Sequence, residues 1–148
     1  MSGRIILQEQ PHVIGQVKTA PLPGFEGIEA QPYDFFTPQP IKGARAYYLR
    51  NILHDWPDHK CKEILQNIRA GMTDESVLLI DEMVLSKRDA PWQATQLDMA
   101  MMTCLAAKER SEFEWRTLLG DAGFEVRSIR RYTEGCQDCV LVVAPAPE

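Results

Sequence analysis

The sequence predicts an α/β fold, a sheet covered by helices. Strand-like and helix-like segments alternate along the chain, the pattern of parallel βα units. The run Val77–Ile80, continued by Met83 and Val84, is apolar without alternation, as in a strand buried on both faces. The last two strand-like segments, Phe124–Ile129 and Cys139–Ala144, flank a turn at Thr133-Glu134-Gly135, so the fold should close on an antiparallel pair.

Each element has its own local signal. Arg4–Leu7 is short and β-branched, hence a strand, and Glu9–Ile14 after it reads as a turn with room to open a short helix. Residues 19–43 hold five prolines and three glycines and read as loop, with room for one short strand near Gly27–Gln31. Ala44–Leu49 is the next strand. Asp55-Trp56-Pro57-Asp58 starts a helix, with acid at its positive end and apolar residues at Cys61, Ile64, Leu65, Ile68 and Met72, and Gly71 as its stop. A further helix spans Gln93–Thr103. Ser111 and Glu114 stand at capping-box spacing and open a helix that carries Phe113, Trp115, Leu118, Leu119 and Ala122 and ends at Gly123.

Composition bounds the class. The 148 residues are 45% hydrophobic, enough for one domain spanning 1–148. Sixteen basic residues against twenty-one acidic give a net charge of −5, which argues against nucleic-acid binding through a broad basic face. No apolar run is long enough to cross a membrane, and the N-terminus lacks the pattern of a secretory signal. Four cysteines make no disulfide scaffold, so a reduced, cytoplasmic protein is expected.

Of three histidines, His54 has the richest surroundings, between a strand's carboxyl end and a helix start, where α/β sheets bind ligands. An imidazole there can take a proton near neutral pH; equally, it could cap the helix or fill the rim of the core. Glu82 ends the Val77–Ile80 strand and Glu109 precedes the capping box. A carboxylate that accepts the histidine N–H fixes the tautomer and stabilises the imidazolium; otherwise Glu82 is a solvated strand end and Glu109 a surface charge between Lys108 and Arg110. Cys136-Gln137-Asp138-Cys139 has no second ligand pair, so no zinc site is expected and both cysteines read as structural.

These residues carry a resemblance. The closing antiparallel pair resembles the second half of the class I S-adenosylmethionine-dependent methyltransferase fold, a Rossmann-like sheet. The run Tyr47-Tyr48-Leu49-Arg50-Asn51-Ile52-Leu53-His54-Asp55-Trp56-Pro57-Asp58 resembles the LHDW segment of caffeate/flavonoid-type O-methyltransferases, above all their fungal relatives. Ile80-Asp81-Glu82, Lys108-Glu109-Arg110 and the Phe113–Phe124 stretch match further segments in order. The resemblance implies His54 as the general base, with Glu82 and Glu109 orienting it. It implies S-adenosylmethionine as cofactor, held by Glu9, Asp34, Phe35 and Arg50, with no metal. Asp55, Met101 and Met102 would face a hydroxylated small-molecule acceptor. The family's helical dimerisation domain and glycine-rich first strand-turn have no counterpart here, so the fold is expected as an incomplete sheet. Its open edges would close on each other or recruit a homo- or hetero-oligomeric partner.

Three functions follow. The first is an O-methyltransferase domain acting on a phenolic or polyketide-like hydroxyl. The second is the same scaffold turned to non-methylating acid–base or pericyclic chemistry in secondary metabolism. The third is an inactive remnant that pairs with another chain.

Overall fold

Pro11 takes the first position of helix α1 (Pro11–Thr19), where its missing N–H costs nothing. The helix links β1 (Ile5–Glu9) to β2 (Ile28–Pro32), which lie parallel with Ile5 opposite Ile28 and Glu9 opposite Pro32. Parallel neighbours need such a crossover. In this computed structural model, residues 3–21, 23–86, 88, 90–105, 108–133 and 137–147 are described. They fall into two compact units, 1–37 and 38–148.

In the first unit Ile14 is buried under the strand pair, and Arg4 and Glu29 form an exposed two-bond ion pair at 2.7 Å. The strand expected near Gly27–Gln31 within the proline-rich stretch is β2, shifted by one residue.

In the second unit β3 (Ala46–Arg50) and β4 (Val77–Leu85) are parallel, and the sheet runs β3-β4-β7-β6. β6 (Phe124–Arg131) and β7 (Asp138–Pro145) form the antiparallel pair that the sequence predicts, with a bulge between Val126 and Ser128. The described strands thus form two sheets with no ladder joining them, and β3 is an edge. The turn residues 134–136, including Cys136 of the CxxC segment, lie outside the described residues. Cys139 is buried in β7.

Helices cover the inward face. Helix α2 (Asp58–Arg69) buries Cys61, Ile64, Leu65 and Ile68, the stripe its period predicts. It starts later than expected: Pro57 is its N-cap, and a 3-10 turn, Leu53–Asp55, precedes it. It also stops before Gly71, and Met72 is buried beyond its end. Gly71 serves close approach, since a Cβ there would meet the Gln39 side chain at 2.9 Å and the Ile41 carbonyl at 3.0 Å.

Helix α3 (Trp92–Leu105) packs against the 3-10 turn. It leads to β5 (Arg110–Ser111), two residues parallel to the end of β4 with Val84 opposite Arg110. Helix α4 (Glu112–Asp121) starts with the predicted capping box. Ser111 Oγ accepts from the Glu114 N–H at 3.4 Å, and the Glu114 carboxylate accepts from the Ser111 N–H at 3.0 Å. Trp115 and Leu119 of α4 are fully buried, and Trp115 Nε1 donates to the Met83 carbonyl at 3.0 Å. Phe113 is 65% exposed, because it lies on the helix's opposite face from Trp115. Gly123 ends the helix at φ +80°, a conformation that favours glycine.

Candidate active site

β4 is longer than its apolar run implied, so Glu82 sits inside the strand and is 1% exposed. Alternation along β4 sends Asp81 and Glu82 to opposite faces. Asp81 accepts from Tyr48 Oη at 2.6 Å and Tyr132 Oη at 2.7 Å, and lies 3.7 Å from Arg50 Nε. Glu82 faces the helices. There the chain leaving β3 turns at Asn51, whose φ of 50° is one asparagine tolerates. The turn aims the N–H groups of Ile52 and Leu53 at Glu82 Oε1, at 2.9 and 2.8 Å.

The same turn sets His54 beside two acids. Nδ1 lies 2.9 Å from Glu109 Oε1 and 3.9 Å from Glu82 Oε2. An ionised carboxylate can only accept, so this contact puts the proton of the neutral ring on Nδ1 and leaves Nε2 as the basic nitrogen. Nε2 lies 3.4 Å from Asp55 Oδ1, on the partly exposed side of the turn. Glu109 is 3% exposed. The β4–β5 register brings it beside Glu82: Arg110 stands opposite Val84, so the residue before it falls near the residues before Val84. Asp98 of α3 accepts from the Glu109 N–H at 2.8 Å.

Each acid keeps one buried oxygen, Oε2, with no hydrogen-bond partner. Burial raises the Glu82 pKa against the pull of His54 and the two backbone donors. The hydrogen bond to Glu109 raises the His54 pKa, burial works against it, and Glu82, Glu109 and Asp55 add to the rise. The three groups offer ligand atoms within 4.8 Å of one another, close enough for one metal ion to span. The alternatives of helix cap, solvated strand end and surface charge do not fit these contacts and burial.

Of the remaining predicted site residues, Glu9 closes β1 and Asp34 follows β2, so both lie at the carboxyl end of one parallel pair, tied by a 2.9 Å bond from Tyr33 N to the Glu9 carbonyl. Asp34 Oδ1 accepts from the Phe36 N–H at 3.0 Å, an Asx turn that presents Phe35 edge-on to Phe36. Arg50 belongs to the second unit. Met101 is half-buried on α3, while Met102 is 59% exposed. Sequence reasoning passed over Arg110, which is fully buried behind the His54 turn; its place in a charged triplet hid it.

Helices over a parallel core closed by an antiparallel pair are the layout of the class I methyltransferase fold. Residues 2–125 match the O-methyltransferase domain, and the chain belongs to that family. It is 42% identical over 98% of its length to demethylsterigmatocystin 6-O-methyltransferase stcP of Emericella nidulans, of which it spans 68%. It is 44% identical over 88% of its length to O-methyltransferase lepI of Aspergillus flavus, of which it spans 33%. A solved LepI complex with SAM superposes with a TM-score of 0.92 at 41% identity, covering 98% of this chain and 37% of that one. A chain described as a pericyclic reaction enzyme matches equally well. No described helix is long and apolar enough to cross a membrane.

Proposed function

We propose that this chain carries the base and part of the cofactor site of an O-methyltransferase acting on a phenolic or polyketide-like hydroxyl, with His54 as general base. The observation that carries the reading is the 2.9 Å contact between His54 Nδ1 and Glu109, which leaves Nε2 to receive the acceptor's proton. A phenol has a pKa of about 10, so little of it is ionised at neutral pH and removal of the proton is the chain's main task. Such help is typically worth ~10²–10⁴-fold in rate. Glu109 fixes the ring and Glu82 steadies the imidazolium at Nδ1, while Asp55 balances the proton gained at Nε2. Because Nδ1 already serves Glu109, the trio is read as a base with its two acids rather than as metal ligands.

S-adenosylmethionine would supply an activated methyl on a positively charged sulfur. The residues fit a nucleoside. Glu9 and Asp34 put carboxylates at the carboxyl end of β1 and β2, suited to hydroxyl and amine donors, and Phe35 adds an aromatic surface. Arg50, Met101 and Met102 are the remaining contacts proposed for cofactor and acceptor.

The test uses the 148-residue chain with methyl-labelled S-adenosylmethionine and a panel of hydroxylated aromatic polyketides. Label transfer is expected, reduced ~10²–10⁴-fold in His54→Ala while calorimetric cofactor affinity stays unchanged. No cofactor binding, or binding without transfer, overturns the reading. Turnover of an acceptor without label transfer, abolished by His54→Ala, would instead assign the scaffold to acid–base or pericyclic chemistry.

A further inference from the structure

Arg110 follows Glu109 directly and is 0% exposed, yet proton transfer at His54 Nε2 makes no direct use of it. A guanidinium is costly to bury unless its donors are satisfied. All three of its nitrogens are engaged, and they converge on one short stretch of chain. Nη1 donates to the Leu53 carbonyl at 2.9 Å, and Nη2 to the Trp56 carbonyl at 2.9 Å. Nη2 and Nε both reach Asp58 Oδ1, at 2.8 and 3.1 Å. The Cys61 sulfur lies 3.2 Å from each of the same two carbonyls, so its single S–H can donate to either, and 3.4 Å from Nη2. The guanidinium also stands 5.2 Å from the ring centre of Trp115, itself bonded to β4 through Met83.

The two gripped carbonyls bracket His54 in the chain. The backbone of Arg110 is the β5 residue paired with β4, and its preceding neighbour supplies the carboxylate on Nδ1. We propose that Arg110 is the positioning residue of this site. By holding the Leu53 and Trp56 carbonyls, it locks the turn that carries His54 to the strand that carries Glu109, so that ring and acid form one rigid unit. Its functional consequence rests on the reading of His54 as the base, whereas the geometry is tested without turnover.

The experiment is an NMR titration of the His54 ring in the full chain. The groups facing that ring are Asp55 on its own turn, Glu82 from β4 and Glu109 ahead of β5. Arg110 lies behind the turn with Asp58 of α2, and Asp98 of α3 holds the Glu109 backbone. The two ways in which Arg110 could act predict opposite signs. If only its charge mattered, removing it would relieve repulsion and raise the His54 pKa. If it holds geometry, removing it frees the ring from Glu109 and lowers that pKa toward the ordinary value of about 6.5.

Arg110→Met is expected to lower the value and to abolish the low-field Nδ1–H resonance. Arg110→Lys keeps the charge but cannot reproduce the planar fork, and should also lower it. In turnover both variants should lose kcat with little change in KM for the acceptor. A rise, or no change with the Nδ1–H resonance retained, overturns the proposal. If Arg110→Met does not fold, Arg110→Lys decides by the same signs. A fall in pKa in a chain that transfers no methyl group would sustain the positioning role while removing the proposed reaction.

Discussion

The Glu109 carboxylate and the His54 imidazole meet at 2.9 Å although 55 positions separate them in the chain. β5 makes the contact possible, because it is two residues long and lies against the very end of β4. An imidazole on one turn is thereby oriented by an acid from the segment that enters α4.

Replacing Glu109 with Gln keeps the shape and removes the charge. The His54 pKa should fall, because the hydrogen bond to Glu109 leads the causes of its rise. The proposed base works as the neutral ring, so the acidic limb of the rate profile should move to lower pH in Glu109→Gln. The maximal rate should fall about 10–100-fold as the ring loses its orientation, a modest share of the general-base effect. Initial rates between pH 5 and 9 check both.

Glu82 serves the fold as well as the site. Glu82→Ala strands the Ile52 and Leu53 N–H groups, at about 1–3 kcal/mol for each donor left buried without a partner. Glu82→Gln keeps an amide oxygen for both donors and should lose much less. Urea midpoints of the two variants measure the difference.

His54 also links stability to pH. Its folded pKa is raised, so the native state binds the proton more tightly than the unfolded chain. The associated stability is fully present below the unfolded value of about 6.5 and is lost as pH rises through the folded value. Glu82, raised by burial, acts in the same direction over a window that opens near its own unfolded value of about 4.3. His54→Gln should therefore flatten the decline above pH 6.5 and leave the lower one, as chemical unfolding from pH 4 to 9 would reveal.

The capping box of α4 offers a local test. Burial opposes ionisation of Glu114, but Lys108 at 2.7 Å and the Ser111 donors hold its pKa down to about 2. The stability it contributes is present above the ordinary carboxylate range and lost as pH falls toward 2. Ser111→Ala should cost about 0.5–2 kcal/mol at neutral pH, measured by thermal unfolding.

Metal removal separates the two uses of the trio. With Nδ1 committed to Glu109, chelation by EDTA should leave methyl transfer unchanged; a loss restored by a divalent cation would make His54, Glu82 and Glu109 its ligands.

The sequence by itself determined most of the elements and singled out the candidate site residues. The apolar run of β4, the 3.6 period of α2, the Ser111–Glu114 box and the stop at Gly123 are local signals, and each marks its element within a few residues. His54, Glu82 and Glu109 stood out by their places after successive elements and by the resemblance of the segments that carry them to those of the family. Tertiary structure decided what depends on register and burial. Glu82 faces the helices and Asp81 the other side because pleating alternates neighbours. Glu109 reaches His54 because β5 pairs with β4 at Val84. Arg110 looks like a surface charge in one dimension; only packing against Trp115 and the carbonyls beside His54 makes it the buried centre of the turn.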